Sequence, residues 1–318
     1  MSWDDRLLGR AGPGDALPPL VEVLLQQQRA SWPLFRDHEA GLARVQVRRL
    51  DYGDSHVLVQ SNPARRRSSA ARVDTSFVAR RPCFLCEDKL PLEERGIAFG
   101  DELVVAPNPF PILPGHLSIP ARAHGPQALA GRGRALFELA RAFGPDYLLL
   151  YNGPRCGASA PDHFHFQATL RQDLPAAEEV RRLPAVERMA SIDSFGRRAL
   201  VLRDANPEIL AASLEQAVAA LGRVLDVEAE PMLNIVVYDD GATLAALLFP
   251  RAAHRPACFF APEEERILIS PGALDMAGVV VVAEPEHFDR VDLAVVRQIF
   301  EEVSLDAAHF GRWLEVLA

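Results

Sequence analysis

Two histidines and a glutamine occupy alternate positions near the middle of the chain, in the segment YNGPRCGASAPDHFHFQA at residues 151–168. Residues two apart in a β-strand point to the same face, so a strand here would place His163, His165 and Gln167 on one side. The intervening phenylalanines would then point into a core. A lone buried histidine is usually satisfied within the core, but three polar side chains on one face are costly to bury without partners. The spacing therefore favours a functional site.

The residues that lead into this strand, NGPRCGAS, are small and rich in glycine. Glycines allow a backbone to approach an anion closely, and successive backbone N–H groups can form a nest for phosphate oxygens. The donors in this segment are Asn152, the amides around Gly157 and the Ser159 hydroxyl. The segment predicts a phosphate-binding loop joined directly to the histidine strand.

Two cysteines stand three apart in RPCFLCEDKL, at Cys83 and Cys86. A redox pair with this spacing would be expected beside a thioredoxin-like βαβ unit, and the surrounding sequence does not have that pattern. As half of a zinc site, the pair needs two further ligands, for which His124 and His163 are the candidates. His116 is the alternative ligand, although strand alternation favours a structural role for it. We expect a structural Cys2His2 zinc site that fixes the histidine strand to the CxxC loop.

Two other segments could contact a nucleotide. The loop QSNPARRRSSAAR offers arginines, which bind phosphate oxygens bidentately, but an arginine run is also typical of a solvated face. The segment VVAPNPFPIL contains Asn108 and Phe110, and its prolines are equally typical of a turn. The residues alone leave both alternatives open.

The composition excludes some classes of partner. The formal net charge of −9 argues against non-specific binding to nucleic acid or anionic membranes, since both need a basic surface. No apolar run reaches the roughly 18 residues that span a bilayer, and the first 20 residues carry early acids without an uninterrupted apolar stretch. Four cysteines do not make a disulfide framework in 318 residues. We expect a cytoplasmic protein that binds neither nucleic acid nor membranes.

Helices and strands alternate along the chain and must position these residues. The pattern predicts one helix over 15–40, a β-hairpin within 43–63, strands over 102–113, 116–124 and 146–153, a helix over 126–143, a helix over 207–225, strands over 231–251, 266–270 and 277–284, and a helical C-terminus. The predicted division is an N-terminal helical segment 1–45, a catalytic half 46–170, a connection 171–205 and a second half-domain 206–318. Because strands, hairpins and helices recur in both halves, we expect an α+β fold of two related half-domains.

The string GASAPDHFHFQ resembles the active-site segment of the galactose-1-phosphate uridylyltransferase branch of the histidine-triad superfamily. That branch includes the diadenosine tetraphosphate phosphorylases (ATP adenylyltransferases) and the GDP-hexose phosphorylases, and it carries glutamine where the hydrolases have a third histidine. The resemblance implies a histidine-triad-like fold with antiparallel sheets flanked by helices. It also implies that nucleotidyl transfer proceeds through a covalent nucleotidyl-histidine.

The resemblance implies a role for each matching residue in the catalytic segment. His165 would attack the nucleotide α-phosphate, and Gln167 would donate its amide to a non-bridging oxygen. Ser159 and the amides of residues 157–159 would hold adjacent phosphate oxygens. Asp162 lengthens the spacing between Ser159 and His163 relative to the uridylyltransferases, which weakens that specific activity.

Further residues match the family outside this segment. Asn108 would contact the ribose or base, Phe110 would form a wall of the base pocket, and Asn62 with Arg65 resembles an N-P-x-R element. Many relatives hold a structural zinc through two cysteines, a histidine after the strand that contains HLSIP, and the first histidine of HxH. These positions correspond here to Cys83, Cys86, His124 and His163.

The expected function is that of a nucleotidyltransferase or phosphorylase. Residues 230–285 look like the second half of the dinucleoside-polyphosphate phosphorylases, which favours a dinucleoside polyphosphate as substrate and phosphate or a sugar phosphate as acceptor. The alternatives are a GDP- or UDP-hexose phosphorylase or uridylyltransferase-type enzyme, and a non-catalytic nucleotide sensor. Dimers are common among the relatives, so a homodimer is one open oligomeric state.

Overall fold

The structure is a computed structural model, and it describes residues 2–63, 75–78, 80–171, 174–184 and 187–318. In these residues, a ten-stranded sheet and a three-stranded sheet form the framework. The strands are β1 Leu7–Ala11, β2 Gln46–Tyr52, β3 Ser55–Ser61, β4 Gly96–Phe99, β5 Leu103–Pro107, β6 Leu117–Pro120, β7 Tyr147–Asn152, β8 His165–Leu170, β9 Met189–Ser194, β10 Arg197–Asp204, β11 Leu233–Asp239, β12 Leu244–Pro250 and β13 Val279–Val282.

The large sheet has the order β1-β4-β5-β6-β8-β7-β11-β12-β10-β9, and the small sheet has the order β13-β3-β2. Neighbouring strands are antiparallel, except for the parallel pairs β1–β4 and β13–β3. The pairing of β7 with β11 joins the two predicted halves into one continuous sheet. The α+β prediction is confirmed, and the expectation of antiparallel sheets is corrected at these two pairs.

Helices and the small sheet cover the large sheet. The helices are α1 Pro18–Ser31, α2 Pro33–Gly41, α3 Thr75–Val78, α4 Gly133–Phe143, α5 Pro175–Arg181, α6 Pro207–Leu225, α7 Ala273–Met276, α8 Pro285–Arg290, α9 Leu293–Val303 and α10 Ala307–Leu317. One face of the sheet packs against α1, α4, α6 and α10, and the other packs against β3, β13, α5, α7 and α9. In the described parts of the chain, every helix is too short or too polar to span a bilayer.

The single helix predicted over 15–40 is wrong, because the chain bends sharply before Pro33. Trp32 is extended, with φ −122° and ψ 92°, and separates α1 from α2. A proline disfavours the helical conformation of the residue before it, while its fixed φ suits the first turn of a new helix. The side chains of Trp32 and Phe35 are buried in the hydrophobic core that α1 also contacts, so packing stabilises the break between α1 and α2.

Two other predicted elements are shorter than expected or absent. The helix predicted over 126–143 begins only at Gly133, because residues 126–132 form an irregular segment in which Gly131 has a φ of 72°. The strand predicted over 266–270 is not formed, and Ile267 donates its backbone N–H to the carbonyl of Cys258 in an irregular segment instead.

The predicted connection 171–205 is more regular than expected. It contains helix α5 and the hairpin of β9 and β10, and β10 pairs with β12 of the large sheet. Strand β1 was also absent from the predicted elements, since its sequence LLGRA is too short to show alternation. The four-part division of the chain stays a prediction.

Candidate active site

The HFHFQ segment leads into strand β8, which begins at His165 and lies in the middle of the large sheet. His165 pairs with Pro120 of β6, and Gln167 pairs with Ser118 of β6 and Leu150 of β7. Directly opposed residues share a face of the sheet. Leu150 packs in the core layer beneath the small sheet, so Gln167 faces that layer. Phe166 packs in the opposite core, as the alternation predicted.

The His165 imidazole is held in one tautomer. Its Nδ1 lies 2.9 Å from the carbonyl oxygen of His163, so this nitrogen carries the proton and donates it. The lone pair is then on Nε2, which accepts no hydrogen bond from the described residues. Burial lowers the pKa of His165 to about 4, which keeps the ring neutral at pH 7. A neutral imidazole with an uncommitted Nε2 is chemically a nucleophile.

Gln127 fixes the backbone of His165, and the sequence analysis missed it. Its Oε1 accepts the His165 N–H at 2.8 Å, and its Nε2 donates to the carbonyls of His165 and Asn152 at 3.0 and 2.9 Å. The backbone pairing of β7 with β8 ends at Leu150 and Gln167. Beyond that point, the side-chain amide of Gln127 replaces the backbone hydrogen bonds that the two strands would otherwise make. Gln127 is 1% exposed. A glutamine in an apparently helical stretch gives no spacing signal that could reveal this role.

The side chain of Gln167 is oriented by His116. The Ile112 N–H donates to His116 Nδ1 at 3.1 Å, so the ring proton is on Nε2. That nitrogen donates to Gln167 Oε1 at 2.8 Å. With its oxygen occupied, Gln167 can present its amide N–H groups to an acceptor. His116 is therefore a structural residue of the site, and the alternative in which it ligates a metal is wrong.

Asn152 is oriented in the same way from the second half of the chain. Its Oδ1 accepts hydrogen bonds from Asn234 Nδ2 at 2.9 Å and from the Ala273 backbone N–H at 2.7 Å. The amide nitrogen of Asn152 thus remains to donate. Continuing the β7–β8 register places Asn152 opposite His165. Two side-chain amides with occupied oxygens therefore flank the imidazole on one face of the sheet.

Arg251 supports this arrangement from β12 and its following loop. The guanidinium is 2% exposed and donates to Asn234 Oδ1 and to the carbonyls of Val303, Pro271, Ala253 and His254. All five guanidinium N–H groups donate to protein acceptors, so Arg251 has none left for a ligand. It can affect a ligand only through its positive charge and by fixing the loops that carry these acceptors.

The loop between β7 and β8 has the predicted features of an anion nest. Gly157 has a φ of 112°, and a Cβ there would lie 3.0 Å from Gly272 Cα and 3.1 Å from Asn152 Oδ1. The backbone N–H groups of residues 157–159 donate to no described residue. The Ser159 carbonyl accepts a hydrogen bond from Arg81, whose Nη2 also lies 2.6 Å from Asp162. The inserted Asp162 thus helps to hold the loop.

The predicted metal ligands come together beside this loop. The ligand atoms of Cys83, Cys86, His124 and His163 all lie within 4.8 Å of one another. The His163 Nε2 lies 2.8 Å from the Ala121 carbonyl, so this nitrogen donates its proton and Nδ1 faces the sulfurs. Such an outer-shell bond orients a ligating histidine. The cluster could hold a metal ion.

The two thiols of the cluster differ in their pKa values. Burial raises the pKa of the Cys83 thiol, but its interactions with the His163 ring and the Leu85 backbone outweigh burial and lower the pKa to about 6. Burial and the neighbouring Cys83 raise the pKa of the Cys86 thiol to about 11. A thiolate is the form that ligates a metal. Two sulfurs and two imidazole nitrogens are the donor set of a closed tetrahedral site.

The candidate nucleotide-pocket residues lie around the turn between β5 and β6. Asn108 accepts the Phe110 N–H at 2.9 Å, as in a turn, and donates to Ser118 at 3.0 Å. Contact of Asn108 and Phe110 with a nucleotide stays a prediction. Phe110 packs against His38, with ring centroids 4.9 Å apart. Asn62 is buried and donates to the Pro111 carbonyl. The candidate Arg65 lies outside the described residues.

Two family profiles match the chain. Residues 24–170 match a domain of unknown function, DUF4922, and residues 185–317 match the GDPGP1-like C-terminal domain. No curated protein matches the chain. The boundary between the two profiles lies within the predicted connection.

Solved structures share the architecture. The yeast Ap4A phosphorylase Apa2 in complex with AMP has a TM-score of 0.56 and 16% identity, over 86% of this chain and 95% of that one. The fold is similar to that of an Ap4A phosphorylase. The Apa2 complex with Ap4A has a TM-score of 0.54 and 15% identity, over 86% of this chain and 96% of that one. An ADP-glucose phosphorylase from Arabidopsis thaliana has a TM-score of only 0.37 and 14% identity, over 82% and 100%.

The resemblance to this branch of the histidine-triad superfamily is confirmed. It rests on the GDPGP1-like match in the second half and on the fold shared with Ap4A phosphorylase. The HFHFQ segment, which suggested the resemblance, lies in the first half, within the match to the domain of unknown function.

Proposed function

We propose that this protein is a nucleotidyltransferase that forms a covalent nucleotidyl-His165 intermediate. The observation that supports this most strongly is the state of the imidazole: Nδ1–H donates to a carbonyl and Nε2 keeps its lone pair. A binding protein without catalysis has no need of such a nitrogen beside a phosphate nest. The sensor alternative is therefore disfavoured.

In the proposed first step, His165 Nε2 attacks the α-phosphorus of the nucleotide. A P–N bond forms, the bond to the bridging oxygen breaks, and the leaving group departs with that electron pair. Negative charge grows on the non-bridging oxygens, which accept hydrogen bonds from Gln167, Asn152 and the amides of residues 157–159. Donors that are oriented before the reaction stabilise such charge most effectively.

The replacement of a third histidine by Gln167 suits a phosphate leaving group. An amide donates hydrogen bonds but transfers no proton near pH 7. A departing phosphate or nucleotide is stable as an anion and needs no general acid. The second step is the reverse attack by an acceptor phosphate, which restores the free imidazole.

The proposed substrate is a dinucleoside polyphosphate, with orthophosphate or a sugar phosphate as acceptor. The fold shared with Ap4A phosphorylase supports this choice. The GDPGP1-like match over residues 185–317 favours a second candidate, a nucleoside diphosphate hexose such as GDP-hexose. We place the enzyme in the cytoplasm, in keeping with four cysteines that form no disulfide.

We propose that the cysteine and histidine cluster holds a structural zinc ion. Zinc would link the CxxC loop to His124, in the segment after β6, and to His163, two residues before β8. His163 would then fix the chain two residues before the nucleophile. The zinc itself supplies a cross-link and no chemistry to the reacting phosphate.

A substrate screen tests the proposal. The protein is incubated with orthophosphate and, separately, with diadenosine tetraphosphate and with ADP-, GDP- and UDP-hexoses, and nucleoside diphosphate release is followed by chromatography. We expect one group of substrates to be cleaved and His165→Ala to reduce the rate by at least about 10³-fold, as for loss of a covalent nucleophile. Equal turnover by wild type and His165→Ala would contradict the proposal.

A further inference from the structure

A carboxylate from the second half of the chain contacts the segment that carries Gln127. Glu230 lies in the loop between α6 and β11 and is partly buried. Its Oε2 accepts the backbone N–H of Leu129 at 2.6 Å, and its Oε1 accepts the hydroxyl proton of Tyr151 at 2.6 Å. Both carboxylate oxygens are therefore engaged by donors that belong to the first half.

Tyr151 gives the Glu230 carboxylate a rigid anchor. It lies in β7, is buried, and its ring packs against Phe164 and Phe166, with ring centroids 6.4 and 6.0 Å apart. This core lies on the face of the sheet that α4 and α6 cover. Asn152, the next residue of the strand, points to the opposite face, because successive strand residues alternate. Glu230 thus contacts the sheet from the side opposite to the proposed nucleotide site.

Residues 128–131 form one wall of a cavity. The cavity has a volume of about 790 Å³, and its other walls come from α6, with Leu214 and Val218, and from the loop that contains Glu230. On the cavity side, this wall is not packed against other side chains. The hydrogen bond to Glu230 therefore supplies a fixed contact that sets the position of the Leu129 backbone.

Gln127 lies two residues before Leu129 and connects this wall to the nucleophile. Its backbone N–H donates to the Pro161 carbonyl at 3.1 Å, and its side-chain amide engages both the N–H and the C=O of His165. Two residues span a Cα separation of at most about 7 Å, so a shift of the Leu129 backbone is passed on to Gln127. A misplacement of about 1 Å at a reacting group can slow a reaction by about 100-fold.

The surroundings of Glu230 favour these two hydrogen bonds. Burial raises the pKa of its carboxyl group, and the hydrogen bonds from Tyr151 and the Leu129 backbone, with the charge of Arg155, act in the opposite direction. Arg155 Nη2 also donates to the Glu230 carbonyl at 2.9 Å, which fixes the backbone of the loop. Burial and the Glu230 charge raise the pKa of Tyr151, so its hydroxyl keeps its proton at pH 7 and remains a donor.

We propose that Glu230 is a positioning residue for the nucleotidyl transfer at His165. This inference rests on the proposed function. The carboxylate, anchored on Tyr151, holds the Leu129 backbone and thereby sets the position of Gln127. Gln127 in turn fixes the backbone of the nucleophile. Loss of the carboxylate should therefore slow the attack of His165 without weakening the binding of the nucleotide.

The test separates the rate of adduct formation from nucleotide binding. Wild type, Glu230→Ala, Glu230→Gln and Tyr151→Phe are mixed with the nucleotide that the substrate screen identifies, at a series of concentrations. Glu228→Ala, which removes an equal charge from an exposed position in the same loop, is the matched control. Urea unfolding gives the folded fraction of each variant, so that rates refer to folded protein. Tyr151→Phe keeps its ring in the core and carries the test if Glu230→Ala does not fold.

We expect Glu230→Ala to lower the maximal rate of adduct formation by about 10- to 30-fold and Tyr151→Phe by about 3- to 10-fold. The nucleotide concentration for half-maximal rate should change by less than about twofold in both. Glu230→Gln should stay within about threefold of wild type, because its amide oxygen can accept the Leu129 N–H while its amide nitrogen donates to the Tyr151 oxygen. Glu228→Ala should match wild type.

A double-mutant cycle with Gln127→Ala tests the route of the effect. If Glu230 acts through Gln127, adding Glu230→Ala or Tyr151→Phe to Gln127→Ala should slow adduct formation by less than about a further twofold. Independent effects would multiply instead. A contribution of Glu230 to stability alone would lower the free energy of unfolding and would not produce this coupling in the rates.

Three results would overturn the inference while leaving the proposed function in place. One is a maximal rate in Glu230→Ala, or in Tyr151→Phe where that variant carries the test, equal to that of Glu228→Ala. Another is a loss confined to the nucleotide concentration for half-maximal rate. The third is an effect of equal size with and without the Gln127 side chain. Failure of wild type to form any adduct is a different result, and it would contradict the proposed function itself.

Discussion

Replacement of Gln127 by alanine should both destabilise the protein and slow adduct formation. The side chain makes three buried hydrogen bonds, to the N–H and C=O of His165 and to the C=O of Asn152. Each buried bond contributes about 1 kcal/mol net, and each orphaned group adds a desolvation cost, so we expect a loss of about 2–4 kcal/mol in the free energy of unfolding. Because the imidazole also loses its fixed position, adduct formation should slow by about 10- to 100-fold.

Urea unfolding and the rate of adduct formation measure the two effects. Gln26→Ala, which removes an exposed glutamine from α1, is the matched control and should change the free energy of unfolding by less than about 0.5 kcal/mol. In Gln127→Ala, the fall in the maximal rate should exceed any change in the nucleotide concentration for half-maximal rate. A Gln127→Ala protein as stable and as fast as Gln26→Ala would refute the argument that this amide extends the sheet ladder.

Three further predictions concern the metal cluster, a buried carboxyl group and the phosphate loop. Cys83→Ser should lose about one equivalent of zinc by elemental analysis relative to wild type, whereas Cys258→Ser should keep it; equal zinc in both would contradict the proposed ligands. Burial raises the pKa of Glu94 to about 8, so the folded state holds a proton that the unfolded state loses above about pH 4.5. The free energy of unfolding should therefore fall by up to about 4 kcal/mol as the pH rises from 5 to 8. Urea unfolding at several pH values measures this, and Glu94→Gln should remove the contribution of Glu94 to the pH dependence. An unchanged pH dependence in Glu94→Gln would contradict the prediction. Gly157→Ala should abolish most adduct formation, because its φ of 112° and its contacts exclude a side chain, whereas Gly311→Ala, in open space, should leave the rate unchanged; equal rates in the two variants would show that the loop geometry is not needed.

The sequence was sufficient for the parts of the site that depend on local spacing. Alternation alone placed His165 and Gln167 on one face of a strand. The small residues before them predicted the loop around Gly157. The CxxC pair, with its two candidate histidines, predicted a cluster that the structure brings together. These inferences succeed because each depends on residues whose relative positions follow from strand geometry or from ligand chemistry.

The residues that orient the site could not be predicted in the same way. Gln127, His116 and Asn234 reach the site through pairings between strands and loops that are distant in sequence. Gln127 and Asn234 carry no spacing signal, since any buried glutamine or asparagine needs partners. Strand alternation favoured a structural role for His116 but did not identify Gln167 as its partner. Arg251 is similar: its five acceptors come from four separate stretches of chain.

The errors in the predicted elements have local physical causes. Helix periodicity continues across Trp32 and Pro33, although the proline forces a break there. The strands of the connection 171–205 carry too many polar residues for their alternation to stand out, because β9 lies at the edge of the sheet. In both places the apolar pattern is weaker than the tertiary contacts that decide the structure.

The most direct test of the account is the mass of the intact protein after brief incubation with diadenosine tetraphosphate or a nucleoside diphosphate hexose. Denaturation is done in base, because phosphohistidine is acid-labile, and His165→Ala is treated in parallel. A covalent nucleotidyl-His165 intermediate predicts an added nucleoside monophosphate group on wild type that is absent from His165→Ala, and its mass identifies the base. Substrate turnover without any such adduct, or an adduct that persists in His165→Ala, would contradict the central claim.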